Sequence, residues 1–430
     1  MSMLRSRGLL PLVAAQVVSG LGSQMTFLAL PWFVLATTGS PTRMGVVLAA
    51  ELAPIAVLGI PSGAVIARYG ARATMLVADL VRAPLVASIP VLHALDWLSF
   101  PVLLCLVALV GVFIAPYFAS QALILPELVG DDERVVAQAT AIVEGARRAT
   151  SLIGPAAAGL LIAGFSAPVV LYVDAATFLV SFVILALLVP RRPPLPRTEE
   201  SGGLLAGIRF LLADRTLRVL CVTALFANGF GQMLGAGLTV LAFEEYESSR
   251  VAGVFFAAFG AGAIVGSIVA LRLVSRFEPL RLGATAFVAL TIPVFALSLE
   301  LPIPAVALAL AVSSFFGPLV NAPLIGVITM RTPEAIRAKV MTGVMTAAML
   351  AGPAGLIVAG PLLDAWGARP VFLLVAAGQL LAVVPFAVVA FGSRPAPSAP
   401  APVPAPEPYG SGRASSIWRQ RLSRSRMPRG

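Results

Sequence analysis

A few ionisable side chains fall inside stretches that are otherwise apolar, and with these the chain could do chemistry. Glu51 stands alone in its stretch. Asp79 and Arg82 are three residues apart, a spacing that puts them on one face of a helix. Glu144, Arg147 and Arg148 have the same kind of spacing, so the carboxylate can neutralise one of the two arginines. A charge at hydrocarbon depth is expensive, and each such group is therefore a candidate for function. A carboxyl in a desolvated setting favours its neutral form, the property that a proton-carrying group requires, so the proton-coupling candidates are Glu51 first, then Asp79 and Glu144. Glu51 lies roughly 15 residues from the basic end of its stretch, about 22 Å along a helix, and is either such a proton site or a carboxyl in contact with water at the far interface. Asp79 and Arg82 are either a structural ion pair that fixes helix packing or a pair that opens and re-forms during a conformational cycle. The Glu144 trio either snorkels at the membrane interface or lines a central cavity, where it would repel protons or engage an anion.

The elements that carry these groups follow from composition. Of 430 residues, 59% are hydrophobic and 12% charged, and mean hydropathy is +0.95. Average proteins carry about 25% charged residues, so this is a multi-pass membrane protein. A span needs roughly 20 mostly apolar residues. About twelve such stretches occur, near 9–36, 44–66, 74–94, 99–124, 137–164, 168–189, 217–242, 251–271, 281–300, 302–329, 340–363 and 370–392. An even number puts both termini on one side. Met1 to Gly8 is basic, but the apolar run that follows continues for a full span without a small-residue cleavage site, so no cleavable signal peptide is expected.

Arginine sets the orientation. Arg5, Arg7, Arg68, Arg72, Arg134, the group from Arg191 to Arg218, Arg272, Arg276, Arg281, Arg331, Arg337, Lys339 and the tail arginines fall in loops on one side. The opposite loops carry only Arg43, Arg250 and Arg369. Positive loops stay in the cytoplasm, so both termini are expected there and the protein in the cell membrane. The expected organisation is a six-helix bundle over 1–189, a central cytoplasmic loop over 190–216, a second six-helix bundle over 217–392 and a disordered, Pro-rich, basic tail over 393–430. Within the loop, Leu204, Ile208, Leu211 and Leu212 share one helical face, predicting a short helix along the membrane surface. The tail's Trp418 and Leu422 among arginines fit either contact with anionic lipid or a solvated segment.

Two stretches mark bends. Gly145, Gly154 and Gly159 flank Pro155 in the fifth span, and AGPAGLIVAGPLL (351–363) repeats the pattern late in the chain. Proline removes a backbone donor and bends a helix. Small residues let a neighbouring helix come close. Paired interrupted helices in corresponding positions of two halves point to a transporter.

The later spans hold almost no charge. Asn228, Gln232 and Asn321 are candidates to bond a substrate or another helix, and Phe230 and Phe316 are candidates for the apolar wall of a substrate cavity, as are Phe226, Phe255, Phe256, Phe259 and Phe315. Asp174 reads as a capping or packing group, and Glu244, Glu245 and Glu247 as a solvated rim. Cys105 and Cys221 read as small buried residues, and the lone His93 gives no metal cluster. No metal site, cofactor or catalytic constellation is expected, and no enzyme. The phosphate-binding pattern G-x-x-x-x-G-K-[ST] is missing, so direct ATP drive is not expected. The arginines track topology, so nucleic acid is not a partner. The expected partners are a small-molecule substrate, protons and the lipid bilayer.

GAVIARYGAR (63–72) resembles the G-x-x-x-D-R-x-G-R-R loop of the major facilitator superfamily, with Gly63, Arg68, Gly70 and Arg72 in place and Ala67 where the family has Asp. In the family that carboxylate helps latch the two halves on the inside. GPAAAG (154–159) is similar to the fifth-span motif of drug:proton antiporters, with one extra residue before the glycine. SQALILPELV (120–129), VADLVRA (77–83) and YVDAATF (172–178) resemble the macrolide-efflux and siderophore-exporter branch. The resemblance covers about residues 9–392. It implies twelve transmembrane helices in two pseudo-symmetric six-helix bundles, a monomer, and efflux of an amphipathic organic molecule in exchange for protons by alternating access. A proton symporter that imports a solute, on the same fold, and a non-transporting scaffold or receptor remain the alternatives.

Overall fold

The computed structural model describes residues 8–130, 132–191 and 204–392. The expectations for Arg5, Arg7, the first part of the central loop and the basic tail lie outside these residues. Among the described residues the chain forms thirteen helices and no strand. The first six are α1 (Leu9–Thr38), α2 (Pro41–Tyr69), α3 (Ala71–Ala94), α4 (Phe100–Val129), α5 (Glu133–Gly164) and α6 (Ala167–Leu188). After the short α7 (Leu204–Ala213) come α8 (Arg215–Glu244), α9 (Ser249–Leu273), α10 (Pro279–Ala296), α11 (Ile303–Arg331), α12 (Glu334–Trp366) and α13 (Ala368–Gly392).

Local chemistry sets the ends. Asp132 accepts from the backbone N–H groups of Arg134 (2.9 Å) and Val135 (3.3 Å) to start α5, and Asp214 accepts from Leu217 N–H (2.9 Å) to start α8. Gly70 has φ +84° between α2 and α3, a conformation that a side chain would strain.

Among the described residues eleven helices are long and apolar enough to cross a membrane. The 32-residue α5 is long enough, but Glu144, Arg147 and Arg148 interrupt it, and its longest charge-free run is 149–164. The outward faces carry exposed Leu187, Leu271, Leu381 and Val388. Acyl chains solvate such a belt; water does not.

The packing repeats. In the first set of six, α1 packs on α5 and α6, α2 on α4, and α3 on α4 and α6. In the second, α8 packs on α12 and α13, α9 on α11, and α10 on α11 and α13. Each pair of the first set has its counterpart in the second, the signature of two pseudo-symmetric bundles. The bundles meet where α2 packs on α12 and α5 on α9.

The core decides where they are sealed. At the end of the α1–α2 and α12–α13 turns, one hydrophobic cluster runs through both bundles, from Phe33, Val47 and Ala158 to Leu241, Phe255 and Leu363. At the opposite end, where α1 begins, each bundle keeps its own cluster: Leu12, Met75 and Ile124 in the first, Leu220, Phe287 and Phe386 in the second. The bundles are thus joined at one end and parted at the other.

At the joined end, glycines allow backbone contact. A Cβ on Gly45 would stand 2.6 Å from Leu356 O and 3.1 Å from Gly360 Cα, and one on Gly159 would stand 2.6 Å from Ser249 O and 3.0 Å from Gly253 Cα. Ser249 Oγ donates to Gly159 O (3.1 Å), and Thr42 Oγ1 donates to Asp364 Oδ2 (2.7 Å). Trp32 and Phe243 meet edge to face across the same seam at 5.1 Å.

On α7, Leu211 is buried in the second bundle's cluster and Leu212 is exposed; α7 lies against α12 and α8.

Candidate functional site

Two connected chambers lie between the bundles. The first, about 410 Å³, is lined by Arg148, Ser151 and Pro155 of α5, Asn228 and Gln232 of α8, and Phe256 and Phe259 of α9. The second, about 190 Å³, is lined by Glu51, Leu48 and Ile55 of α2 together with Phe118, Thr239 and Leu356. Gln24, Phe27, Gln232, Gly235 and Phe256 belong to both walls, so the chambers open into one another.

The walls follow the repeat. Gly154 of α5 faces Gln24 of α1: a Cβ there would stand 2.5 Å from Gln24 Cβ. Gly352 of α12 faces Gln232 of α8, with 3.5 Å to its Cγ. The two Gly-Pro bends therefore occupy corresponding places, each beside a glutamine of the central pair. Pro155 cannot donate to Ser151 O, so α5 loses one helical bond at the chamber wall.

Glu51 is placed by close approach of α2 and α4. Gly111 of α4 abuts Glu51 O, where any Cβ would collide, and Pro54 one turn later bends α2. Among the described residues the Glu51 carboxylate has no hydrogen-bond or ion-pair partner.

Asp79 and Arg82 are arranged differently. They are 0% and 3% exposed and pair at 2.5 Å. The second Asp79 oxygen accepts from Ser181 Oγ of α6 (2.7 Å). The Arg82 guanidinium lies between the rings of Tyr117 and Phe178, 4.3 Å from each centroid, a desolvated cation–π sandwich. Nearby, Asp174 is buried and accepts from Thr26 Oγ1 (2.6 Å) and Thr177 Oγ1 (3.3 Å). Their oxygens are committed within the first bundle; that of Glu51 is not.

The α5 trio divides. Arg147 forms a two-pronged pair with Glu144 (Nε–Oε2 2.9 Å, Nη2–Oε1 2.5 Å). Arg148 lies 3.6 Å from Glu144 and donates across the seam to Ser267 Oγ of α9, which itself donates to Ala263 O (2.7 Å). All three side chains are 39–59% exposed, and Arg148 alone of them lines the first chamber. Arg147 and Arg82 border a smaller recess, about 90 Å³, that shares Ser23, Gln24 and Phe118 with the larger ones.

Of the other residues singled out by sequence, Asn228 and Gln232 line the first chamber, whereas Asn321 is exposed and Phe316 packs edge to face on Phe315 in the second bundle; neither borders a chamber. Phe230 stacks on Phe226 and borders an outward groove between α8 and α13. In the first turn of α3, Arg72 donates to Val189 O and Ala186 O (2.8 Å each), closing the C-terminal end of α6. Arg68 lies over Tyr69 at 5.4 Å, and a Cβ on Gly63 would enter open space. Sequence reasoning missed Gln24, Phe27 and Thr26. An amide in an otherwise apolar helix was the available signal for Gln24, read at Gln232 but not there.

Comparison with known proteins follows this geometry. A family model described as the Major Facilitator Superfamily matches residues 12–303 and 233–427. The chain is 28% identical over 385 residues to the multidrug efflux pump Tap of Mycolicibacterium fortuitum, covering 87% of this chain and 93% of that one. It is 27% identical over 373 residues to Tap of Mycobacterium tuberculosis, covering 84% and 88%. Among solved structures, a bacterial homologue of the lysosomal transporter Spinster, captured inward-facing and occupied, gives a TM-score of 0.74 at 15% identity over 89% of this chain and 96% of that one. A D-xylose–proton symporter gives 0.67 at 15% identity over 88% and 96%. These structural likenesses show the fold alone.

Proposed function

This chain belongs to the Major Facilitator Superfamily, and we propose that within it the protein exports an amphipathic small organic molecule, such as a drug, antibiotic or siderophore, in exchange for protons. The proposal rests on one observation above others: Glu51, a carboxylate with no partner among the described residues, lines a chamber between two bundles that are sealed at one end and parted at the other. The nearly full-length likeness to proteins named as multidrug efflux pumps supports the direction and the substrate type.

The arginine-rich loops support a reading with the parted end, and both termini, facing the cytoplasm of a cell-membrane protein; the resemblance implies a monomer. In this state substrate enters the first chamber from the cytoplasm. The bundles then rock about the α2–α12 and α5–α9 seams. Once the sealed end opens, substrate leaves and Glu51 takes a proton from outside. The return movement carries that proton inward. The bend at Pro155 lets α5 flex during the exchange, and a neutral Glu51 crosses the closed intermediate without an uncompensated buried charge.

The test uses purified protein in liposomes with an acidic lumen and an internal pH dye, to which amphipathic drugs and siderophore-like compounds are added. Compound-dependent loss of luminal protons, abolished by Glu51→Gln, is the expected result. Compound and proton moving in the same direction would replace export with symport. No flux with any compound, in folded protein, would favour a scaffold or receptor.

A further inference from the structure

The geometry points to a zwitterionic substrate, one that carries an acid at one end of an apolar body and a protonated amine at the other. This rests on reading the two chambers as the substrate's path. The chambers are oppositely charged. Arg148 is the one charged residue on the wall of the first, and Glu51 the one on the wall of the second.

Glu144, Arg147 and Arg148 together carry one positive charge in excess, and it falls on Arg148, which meets Glu144 only at 3.6 Å. Both oxygens of the nearest carboxylate, Glu144, are taken by Arg147, whose bonds are shorter. Ser267 accepts one N–H of Arg148 and, by spending its own proton on Ala263 O, holds the guanidinium toward α9. Donors of a planar fork remain for a carboxylate. Glu51, in turn, has no donor beside it among the described residues. An apolar cavity with an excess positive charge at one end and, among the described residues, an unpaired carboxylate at the other is complementary to a ligand with the reverse charges.

The spacing agrees. Gln24 is level with Gly154, and Arg148 lies six residues from Gly154 toward the parted end. Glu51 is ten residues from Pro41, while Gln24 is fourteen from Thr38, so Glu51 lies on the sealed side of Gln24. At 1.5 Å per residue the two Cα levels are about 15 Å apart along the bundle, and Arg148, drawn to Ser267 and Glu144, reaches from there toward the parted end. Between them stand Phe27, Phe256 and the amides of Gln24 and Gln232. An ammonium bonded to Glu51 also excludes a proton from it, which is what obligatory exchange requires.

Four naphthalene probes test this, with the full chain in lipid nanodiscs at one fixed pH. One bears a carboxylate and an aminomethyl group on opposite rings. The others have the acid esterified, the amine acetylated, or both. In the native protein each blocked charge weakens binding about tenfold, the worth of one charge-assisted hydrogen bond. Arg148→Gln removes the dependence on the acid and leaves that on the amine; Glu51→Gln does the reverse; Arg148→Lys keeps part of the acid preference. Equal binding of all four probes by native protein overturns the inference, as does an Arg148→Gln variant that weakens all four alike. No gradient is present, so charge-selective binding without proton flux would retire the antiport reading and keep this one. Proton flux without charge selectivity would do the opposite.

Discussion

Arg82→Met separates a structural ion pair from a moving one. The substitution keeps most of the apolar stem but leaves Asp79 ionised, 0% exposed and held only by Ser181 Oγ at 2.7 Å. An uncompensated buried charge costs about 3–5 kcal/mol. The two ring contacts at 4.3 Å are lost as well, at about 1–2 kcal/mol together. At roughly 2 °C per kcal/mol for a protein of this size, the thermal midpoint in detergent falls by roughly 8–14 °C. Adding Asp79→Asn removes the orphaned charge while the amide still meets Ser181. The double variant therefore recovers about 3 kcal/mol, a coupling that a thermal or denaturant double-mutant cycle reads directly. If the pair is structural, the double variant also recovers transport in liposomes. Recovery of stability without transport would assign the pair a part in the cycle. A single variant no less stable than the double would refute the reasoning, because Asp79 would then need no counter-charge.

Glu51→Gln abolishes compound-dependent proton flux while expression and thermal midpoint stay near native; unaffected flux would move the proton site elsewhere. Asp364→Ala removes the acceptor of Thr42 at the sealed end. That loss, about 1–2 kcal/mol, shifts the population toward opening there. A cysteine at Thr239, in a background without Cys105 and Cys221, then reacts with an impermeant thiol reagent from that side, and unchanged labelling would count against the seal. Gly154→Val drives a side chain against Gln24, and probe binding falls by about tenfold or more, with Gly145→Val, whose Cβ meets open space, as the tolerated control. Pro155→Ala restores the bond to Ser151 O and slows or uncouples turnover, which normal coupled rates in liposomes would contradict.

Much of the architecture was legible because a bilayer imposes local rules. A helix must present about twenty apolar residues to cross it, so spans could be counted one by one, and the arginines gave an expected side for each loop. The charges of α2, α3 and α5 stood out because their surroundings could not solvate them. The Gly-Pro repeat at 154–155 and 352–353 revealed that α5 and α12 correspond, and both bends lie at the central glutamines.

Helix faces were not legible. Asn228 and Gln232 line a chamber while Asn321 does not; Phe256 and Phe259 face the cavity while Phe230 faces an outward groove. In water an amphipathic helix announces its buried side. In a membrane, lipid is as apolar as the protein core, and the sequence is hydrophobic all round. The residues alone therefore established the class of fold, the number of spans and which charges were costly. The pairs Asp79–Arg82 and Glu144–Arg147 follow the local i,i+3 rule. That Ser181 of another helix completes Asp79, while Glu51 meets no partner among the described residues, was decided only when distant helices were brought together, through contacts that no local rule encodes.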